Sequence, residues 1–510
     1  MKNHWKKIAS VIFAVLFIAS VFSVLLGGGS NAETFQSRNK TALTGVITAS
    51  RKAPKYIFLF IGDGMSYPQI QTASYYLGAK SSDGEVVAVP LSFMKFPVTG
   101  VAETYDSSSF APDSSSTATS IATGNKTYSG VINMDTTYTK KFEAISEKLK
   151  KQLGYKIGII TSVNLNHATP AAFYAHQPSR SNYYEIGLEM IESGFDFFAG
   201  GALISPNGEK GDQKSLYDIA REKGYKVVTK QKDAEKLSAN DGKTIVISET
   251  LADYDSISYE IDAKDGEWRL ADYVRKGIEM LYNDTGFFMM VEGGKIDWAC
   301  HANDAATVIH DTIALSNAVE VAVEFYNKHP EDTLILVTGD HETGGLSIGF
   351  AGTDYDTFLT NLSNQKISYA KFDTDYVAGY KKNNTKFSDV LTDIEENFGL
   401  VPKYKAKSDT NPNLILTDYE YEKLYEAYRR TIDGYRQLNE EEYILYGTYE
   451  PLTVTITHIL NNKSGINFSS YAHTGLPVPV FAVGNGAELF EGYYDNTDIY
   501  FKLAKLTSVK

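Results

Sequence analysis

Tyr56-Ile-Phe-Leu-Phe-Ile61, running directly into Gly62-Asp63-Gly64, sets the reading of this 510-residue chain. Six consecutive apolar residues describe a strand covered on both faces, since a half-solvated strand would alternate apolar with polar. The Gly-Asp-Gly turn then delivers a carboxylate at the strand's carboxyl end. Runs of the same kind recur at Lys156–Thr161, Tyr225–Val228, Thr244–Ile247, Phe287–Val291, Thr333–Thr338 and Val478–Val483. Helical patterns lie between them, as at Phe142–Leu153 and Asn303–Phe325. The alternation predicts an α/β fold with a mostly parallel central sheet flanked by helices on both faces.

Three of these runs stop just before an acid: Asp63, Glu292 and Asp340. In open α/β sheets ligands bind beyond the carboxyl ends of the strands. Surface scatter accounts for one acid in that position; three predict a shared site.

The chain outgrows one compact core, so one large domain with insertions, or two domains, is expected. Its formal charge of −14 disfavours nucleic acid and anionic membrane as partners, and it repels anionic substrates at long range. Any site for an anion must therefore be made attractive locally. Lys2, Lys6 and Lys7 precede an apolar run from Ile8 to Leu26, followed by Ser30-Asn31-Ala32. Residues 1–32 read as a signal peptide of an exported protein, with a retained anchor as the rival reading; cleavage would leave no membrane span. Residues 33–54 read as a flexible tail. Cys300 is the only cysteine, which excludes an internal disulfide, and it reads as small, buried packing. Residues 351–450 are rich in Tyr, Asp, Asn and Lys and show no buried-strand pattern before a helical stretch at Tyr419–Leu438. They read as an insertion, a lid or interface element, between core segments 55–350 and 451–510.

Of nine histidines, His4 lies in the leader, and His176, His310, His329 and His458 read as solvated or hydrogen-bonded. His167, His301, His341 and His473 sit in Gly-, Asp- or small-residue-rich settings. Asp297 and His301 are four apart, so on a helix they share a face and can share a metal; a structural Asp–His pair is the alternative. Asp340-His341 ends a buried strand, where two adjacent ligand-type residues seldom serve packing. Asp113-Ser114 opens a short helical pattern closed by Gly124. Ser114 is then either an ordinary N-cap or a nucleophile favoured by the helix's positive end.

Together these segments resemble the alkaline phosphatase family: Ile61-Gly-Asp63-Gly-Met65, Asp113-Ser114, His167-Ala-Thr169-Pro, Ala175-His-Gln-Pro-Ser-Arg180, Val291-Glu292-Gly-Gly, Asp297 with His301, Thr338-Gly-Asp340-His341-Glu-Thr-Gly-Gly and His473-Thr-Gly, in the family's order. The resemblance covers about residues 55–350 and 450–505. It implies hydrolysis of small-molecule phosphate monoesters through a phosphoserine on Ser114, with two Zn2+ and one Mg2+ per subunit, in a homodimer. One zinc would be held by Asp297, His301 and His473, and the other by Asp63, Asp340 and His341. Magnesium would sit on Asp63, Thr169 and Glu292. Imidazoles suit zinc and hard oxygens suit magnesium. Arg180 would grip two phosphate oxygens as a fork. Asp113 would support the nucleophile and His167 would act on magnesium through water. The rivals within the superfamily are a phosphodiesterase and a sulfatase; the Pro-x-Arg a sulfatase needs is missing after Ser114, and phosphodiesterases usually present Thr there.

His167 and Trp298 stand where one bacterial branch of the family carries Asp and Lys. Trp298 removes a cation near the phosphate position, so phosphate is expected to bind weakly and leave fast. Trp298→Lys should lower the inhibition constant for inorganic phosphate, measured against a chromogenic monoester.

Overall fold

A computed structural model describes residues 52–434 and 439–510. The signal-peptide reading and most of the tail reading fall outside these residues. The strands, in chain order, are β1 (Tyr56–Gly62), β2 (Val98–Glu103), β3 (Lys156–Asn164), β4 (Phe197–Gly201), β5 (Lys226–Val228), β6 (Thr244–Ile247), β7 (Phe287–Glu292) and β8 (Thr333–Gly339). There follow β9 (Glu342–Thr343), β10 (Ser347–Ile348), β11 (Val401–Pro402), β12 (Ile415–Leu416), β13 (Ile466–Asn467), β14 (His473–Thr474), β15 (Val478–Gly484) and β16 (Gly492–Asp495). Ten of them form one sheet in the order β16-β2-β15-β8-β1-β7-β3-β4-β6-β5. Neighbours run parallel except at β15, which is antiparallel to β8 and to β2.

The parity of β1 shows why the run had to be apolar throughout. Tyr56, Phe58 and Phe60 enter one buried cluster, while Ile57, Leu59 and Ile61 enter the other. β7 and β8 divide in the same way, with Met289 and Val337 on one side and Met290 and Leu336 on the other. Helices Tyr67–Ser81, Leu270–Leu281 and Ala305–Tyr326 cover the first face; Ser114–Thr123, Tyr183–Glu192 and Thr497–Thr507 cover the second. The expected α/β fold is therefore present.

Three strands of this sheet carry no continuous apolar run. β2 alternates, β4 (FFAGG) is half glycine and alanine, and β16 is a largely exposed edge. The helix expected over Phe142–Leu153 begins only at Ile145, because Met134 and Lys141 form a β-bridge and Phe142 donates its N–H to Asn133 O. Its last turn, Leu149–Leu153, widens to π geometry. The helix expected over Tyr419–Leu438 spans Asp418–Asp433, opened by a Thr417 capping box and stopped by Gly434 in the left-handed region. Within 351–450, Leu359, Phe372, Leu391, Phe398 and Leu424 join the same buried cluster as Phe58 and Phe60.

Register positions the site. Gly62 faces Gly339, Ile61 faces Glu292, and Glu292 faces Thr161. Asp63 and Asp340 thus leave β1 and β8 level with each other, two residues beyond the level of Glu292 and Thr161 on the adjacent β7 and β3.

Phe58 is fully buried among Phe60, Phe287 and Phe325 rings. Phe58→Ala should cost about 3–5 kcal/mol, read as a lowered midpoint in urea unfolding.

Candidate active site and metal centre

Asp63 leaves β1 through Gly64, whose φ is +73° and where a Cβ would stand 2.9 Å from Asp297 Cα. Only glycine admits both that backbone and that approach. Gly64 N–H donates to Asp340 Oδ1 at 3.2 Å, and His341 N–H donates to the same oxygen at 3.0 Å. His341 Nε2 then lies 3.3 Å from Asp63 Oδ1 and 3.4 Å from Asp340 Oδ2. Ser114 Oγ is 3.1 Å from the same nitrogen.

Ser114 is the first residue of the helix Ser114–Thr123 and is not its cap. Asp113 holds the cap, accepting from Ser116 N–H at 3.0 Å and from the Ser115 hydroxyl. Its other oxygen accepts from Arg180 Nη1 at 2.9 Å, and Arg180 Nη2 lies 3.4 Å from His167 Nε2. One carboxylate thus caps the helix and aims the guanidinium. Burial alone would raise the Asp113 pKa, but Arg180 and these donors hold it below the usual carboxylate range.

A second group gathers on the helix Lys295–His301 and the short strand β14. His301 Nε2 is 3.3 Å from Asp297 Oδ2, and His473 Nε2 is 3.6 Å from Asp297 Oδ1. β14 reaches this position by pairing with β9, His473 opposite Thr343. The Thr343 hydroxyl donates to Asp297 Oδ1 at 2.6 Å and accepts from His341 Nδ1 at 3.2 Å.

The imidazoles test whether cations fit. His301 Nδ1–H donates to Tyr471 O at 2.6 Å and His473 Nδ1–H to Pro112 O at 2.5 Å. With both Nδ1 atoms donating, the two Nε2 atoms face each other at 3.1 Å beside Asp297, which pushes the His301 pKa up against its burial. A proton or a metal cation held between them and Asp297 satisfies all three groups. Fixing Nδ1 on a carbonyl is also how proteins orient metal-bound histidine.

A third group lies between β1 and β7. Ligand atoms of Asp63, His167 and Glu292 fall within 4.8 Å of one another. Asp63 Oδ1, Glu292 Oε1 and His167 Nδ1 are buried without a hydrogen-bond partner, which the chain alone leaves unsatisfied. Thr169 Oγ1 sits 3.3 Å from Asp63 Oδ2, and the Thr161 hydroxyl donates to Glu292 Oε2. His167 therefore stands beside this group, its ring nitrogen within 4.8 Å of the Asp63 and Glu292 oxygens. Among the described residues, the other two acid–histidine groups of this kind are Asp297 with His301 and His473, and Asp63 with Asp340 and His341. Trp298 lies edge-on to His167, with ring centres 5.9 Å apart.

Comparison with known proteins follows the same lines. A family model described as alkaline phosphatase matches residues 54–198 and 196–509. The chain belongs to the alkaline phosphatase family. It is an enzyme of a family of phosphoric monoester hydrolases. It is 28% identical to alkaline phosphatase 4 of Bacillus subtilis over 503 residues, covering 96% of each chain. Among solved structures, the cold-active alkaline phosphatase of a psychrophilic Shewanella has a TM-score of 0.72 at 28% identity, covering 89% of this chain and 99% of that one. The Thermus thermophilus alkaline phosphatase shares the fold, with a TM-score of 0.73 at 24% identity over 90% and 92% of the two chains. The family match includes 351–450, where the sequence motifs are silent.

His176, His310, His329 and His458 stay outside the three groups. His176 Nε2 pairs with Glu147 at 3.2 Å and His458 Nε2 meets Asn303 Oδ1 at 3.0 Å. His329 packs against Phe325, and His310 against Tyr76. The sequence reading passed over Thr343, Thr161 and the carbonyls of Pro112 and Tyr471. Thr343 lies inside the Asp340–Gly345 segment, so its position was a usable signal; a backbone carbonyl leaves none.

Burial, reinforced by neighbouring carboxylates, pushes Asp63 and Asp340 well above the usual range, and burial pushes Glu292 up to about 7. An acid whose pKa is raised by folding stabilises the folded chain at low pH, and that contribution is lost as pH rises through the folded pKa. A cation restores it by replacing the proton. Zinc added to metal-free protein at pH 7 should therefore release protons to an indicator dye. The rise in melting temperature on adding zinc should be larger at pH 8 than at pH 6.

Proposed function

We propose that this enzyme hydrolyses a broad range of small-molecule phosphate monoesters to alcohol and phosphate through a phosphoserine on Ser114. The observation that supports this reading is the meeting of three acid–imidazole groups beside one hydroxyl at a helix N-terminus, with a guanidinium opposite. Two Zn2+ would be held by Asp297, His301 and His473 and by Asp63, Asp340 and His341. One Mg2+ would be held by Asp63, Thr169 and Glu292, with His167 facing it. When bound, these cations lower the pKa of the serine hydroxyl and offset charge on the ester's departing oxygen.

The chain's own residues supply the rest. Arg180 takes two phosphoryl oxygens with its planar fork, aimed by Asp113. The helix N-terminus adds partial positive charge at Ser114. Ser114 Oγ bonds to phosphorus as the bond from phosphorus to the ester oxygen breaks, and the alcohol departs. Water then attacks the phosphoserine, the Ser114 Oγ–P bond breaks, and inorganic phosphate leaves with the hydroxyl restored. The residues named in these steps all act on the phosphoryl group, which favours breadth of substrate.

Among the described residues no helix is long and apolar enough to cross a membrane. Export, by way of the 1–32 leader, and a homodimeric state belong to this proposal through the family resemblance.

Ser114→Ala should reduce monoester hydrolysis at least about a thousandfold while zinc content stays unchanged. Running a monoester, a diester and an aryl sulfate side by side with wild type completes the test. Faster turnover of the diester or the sulfate, or equal activity in wild type and variant, would overturn the reading.

A further inference from the structure

Tyr254 is an oddity that the chemistry above does not use. It is 82% exposed, yet its backbone sits in the left-handed region (φ 53°, ψ 29°), and Asp255 after it has φ 59°. Two successive non-glycine residues in that region are unfavourable and persist only where surroundings enforce them. Here they are enforced. Asn164 Nδ2 donates to Tyr254 O at 2.9 Å, Ala202 N–H donates to Asp255 O at 2.9 Å, and the Ser256 hydroxyl donates to Asp253 O at 2.7 Å.

The strongest restraint is Lys295, whose side chain is fully buried. Its ammonium donates to Asp253 Oδ1 at 2.5 Å and to Ser256 Oγ at 2.8 Å. The same ammonium lies 3.6 Å above the Tyr259 ring and 4.8 Å from the Trp298 ring. One buried cation therefore fixes both the strained turn and Trp298. A buried ion pair is weak evidence for added stability, and what it plainly secures is position.

What is positioned is a ladder of rings. Arg180 touches His167; His167 meets Trp298 edge-on at 5.9 Å; Trp298 meets Tyr254 edge-on at 5.9 Å. The ladder runs from the guanidinium at the reacting centre out to solvent, and its last ring is held in the open at the expense of backbone strain. An exposed, rigid aromatic side chain presents a large contact face at little entropic cost.

We propose that Trp298 and Tyr254 form a stacking wall for the leaving group, so that the enzyme prefers monoesters carrying a flat ring a few bonds from the ester oxygen, nucleoside 5′-monophosphates above all. This rests on the phosphatase reading and adds a specificity to it. Lys295 is then a positioning residue, and Tyr254 touches substrate.

The test compares adenosine 5′-monophosphate with ribose 5-phosphate, which share phosphate and sugar and differ by the base. Wild type, fully metal-loaded, should show kcat/KM about tenfold higher for the nucleotide, the gain expected from one base–aromatic stack. Tyr254→Asn keeps a residue that tolerates the left-handed backbone and removes the ring. It should bring the ratio near one, mainly by raising KM for the nucleotide, with zinc content unchanged. Tyr254→Phe should restore the ratio. An unchanged ratio in Tyr254→Asn, or equal kcat/KM for the two esters in wild type, overturns the stacking wall while leaving the phosphatase reading standing. A wild type that hydrolyses neither ester overturns both.

Discussion

Asp63, Glu292, Asp297 and Asp340 are all buried within one small volume, and three imidazole Nε2 atoms point into it. Charge packed this closely in a low-dielectric interior costs several kcal/mol per group when unpaired. The guanidinium of Arg180 beside it is already paired with Asp113. The chain cannot balance this arrangement from its own side chains. Its carboxyl groups respond by taking up protons, and its orphaned oxygens mark where cations complete the structure.

Holding such a cluster together in the absence of attraction requires a stiff frame. The parallel strands β8, β1, β7 and β3 supply it, since register alone sets their carboxyl ends side by side and two apolar clusters clamp both faces. The part outside the sheet is tied by Glu342, which is buried between the two histidine-bearing segments. It accepts from Gln69 Nε2 at 2.7 Å, from Gly345 and Leu346 N–H at 3.2 Å each, and from the Thr474 hydroxyl next to His473. β14 is only two residues long, so without this carboxylate His473 would have little to hold it opposite Asp297.

The frame was written plainly in the sequence where burial is two-sided. YIFLFI and its longer counterparts are apolar through their centres, and acids stand just beyond three of them, so both the sheet and the convergence of Asp63, Glu292 and Asp340 could be anticipated. β2, β4 and β16 could not, because an alternating strand, a glycine-rich strand and an edge strand each lack a continuous run. The packing of 351–450 was hidden for a different reason. Its apolar residues are divided between short turns of helix and the longer helices Phe387–Phe398 and Asp418–Asp433, and they meet the core only through tertiary contacts. At the site, ligand-type side chains announce themselves by type and spacing. The carbonyls of Pro112 and Tyr471, which select the imidazole tautomers, are invisible to any reading of residue types.

The sign of the site's own field bears on how the proposed ligands would bind. A chain with formal charge −14 repels a phosphate dianion at long range, and Arg180 is already paired with Asp113 at 2.9 Å. Cations in the pocket would reverse that field locally, so on the proposed reading metal and phosphate bind with positive coupling, each tightening the other by the same factor. The close pairing of Asp113 with Arg180 then has a consequence of its own. It engages the guanidinium with Asp113, while Asp63 Oδ1 and Glu292 Oε1 stay without a hydrogen-bond partner, open to the cations of the proposed function.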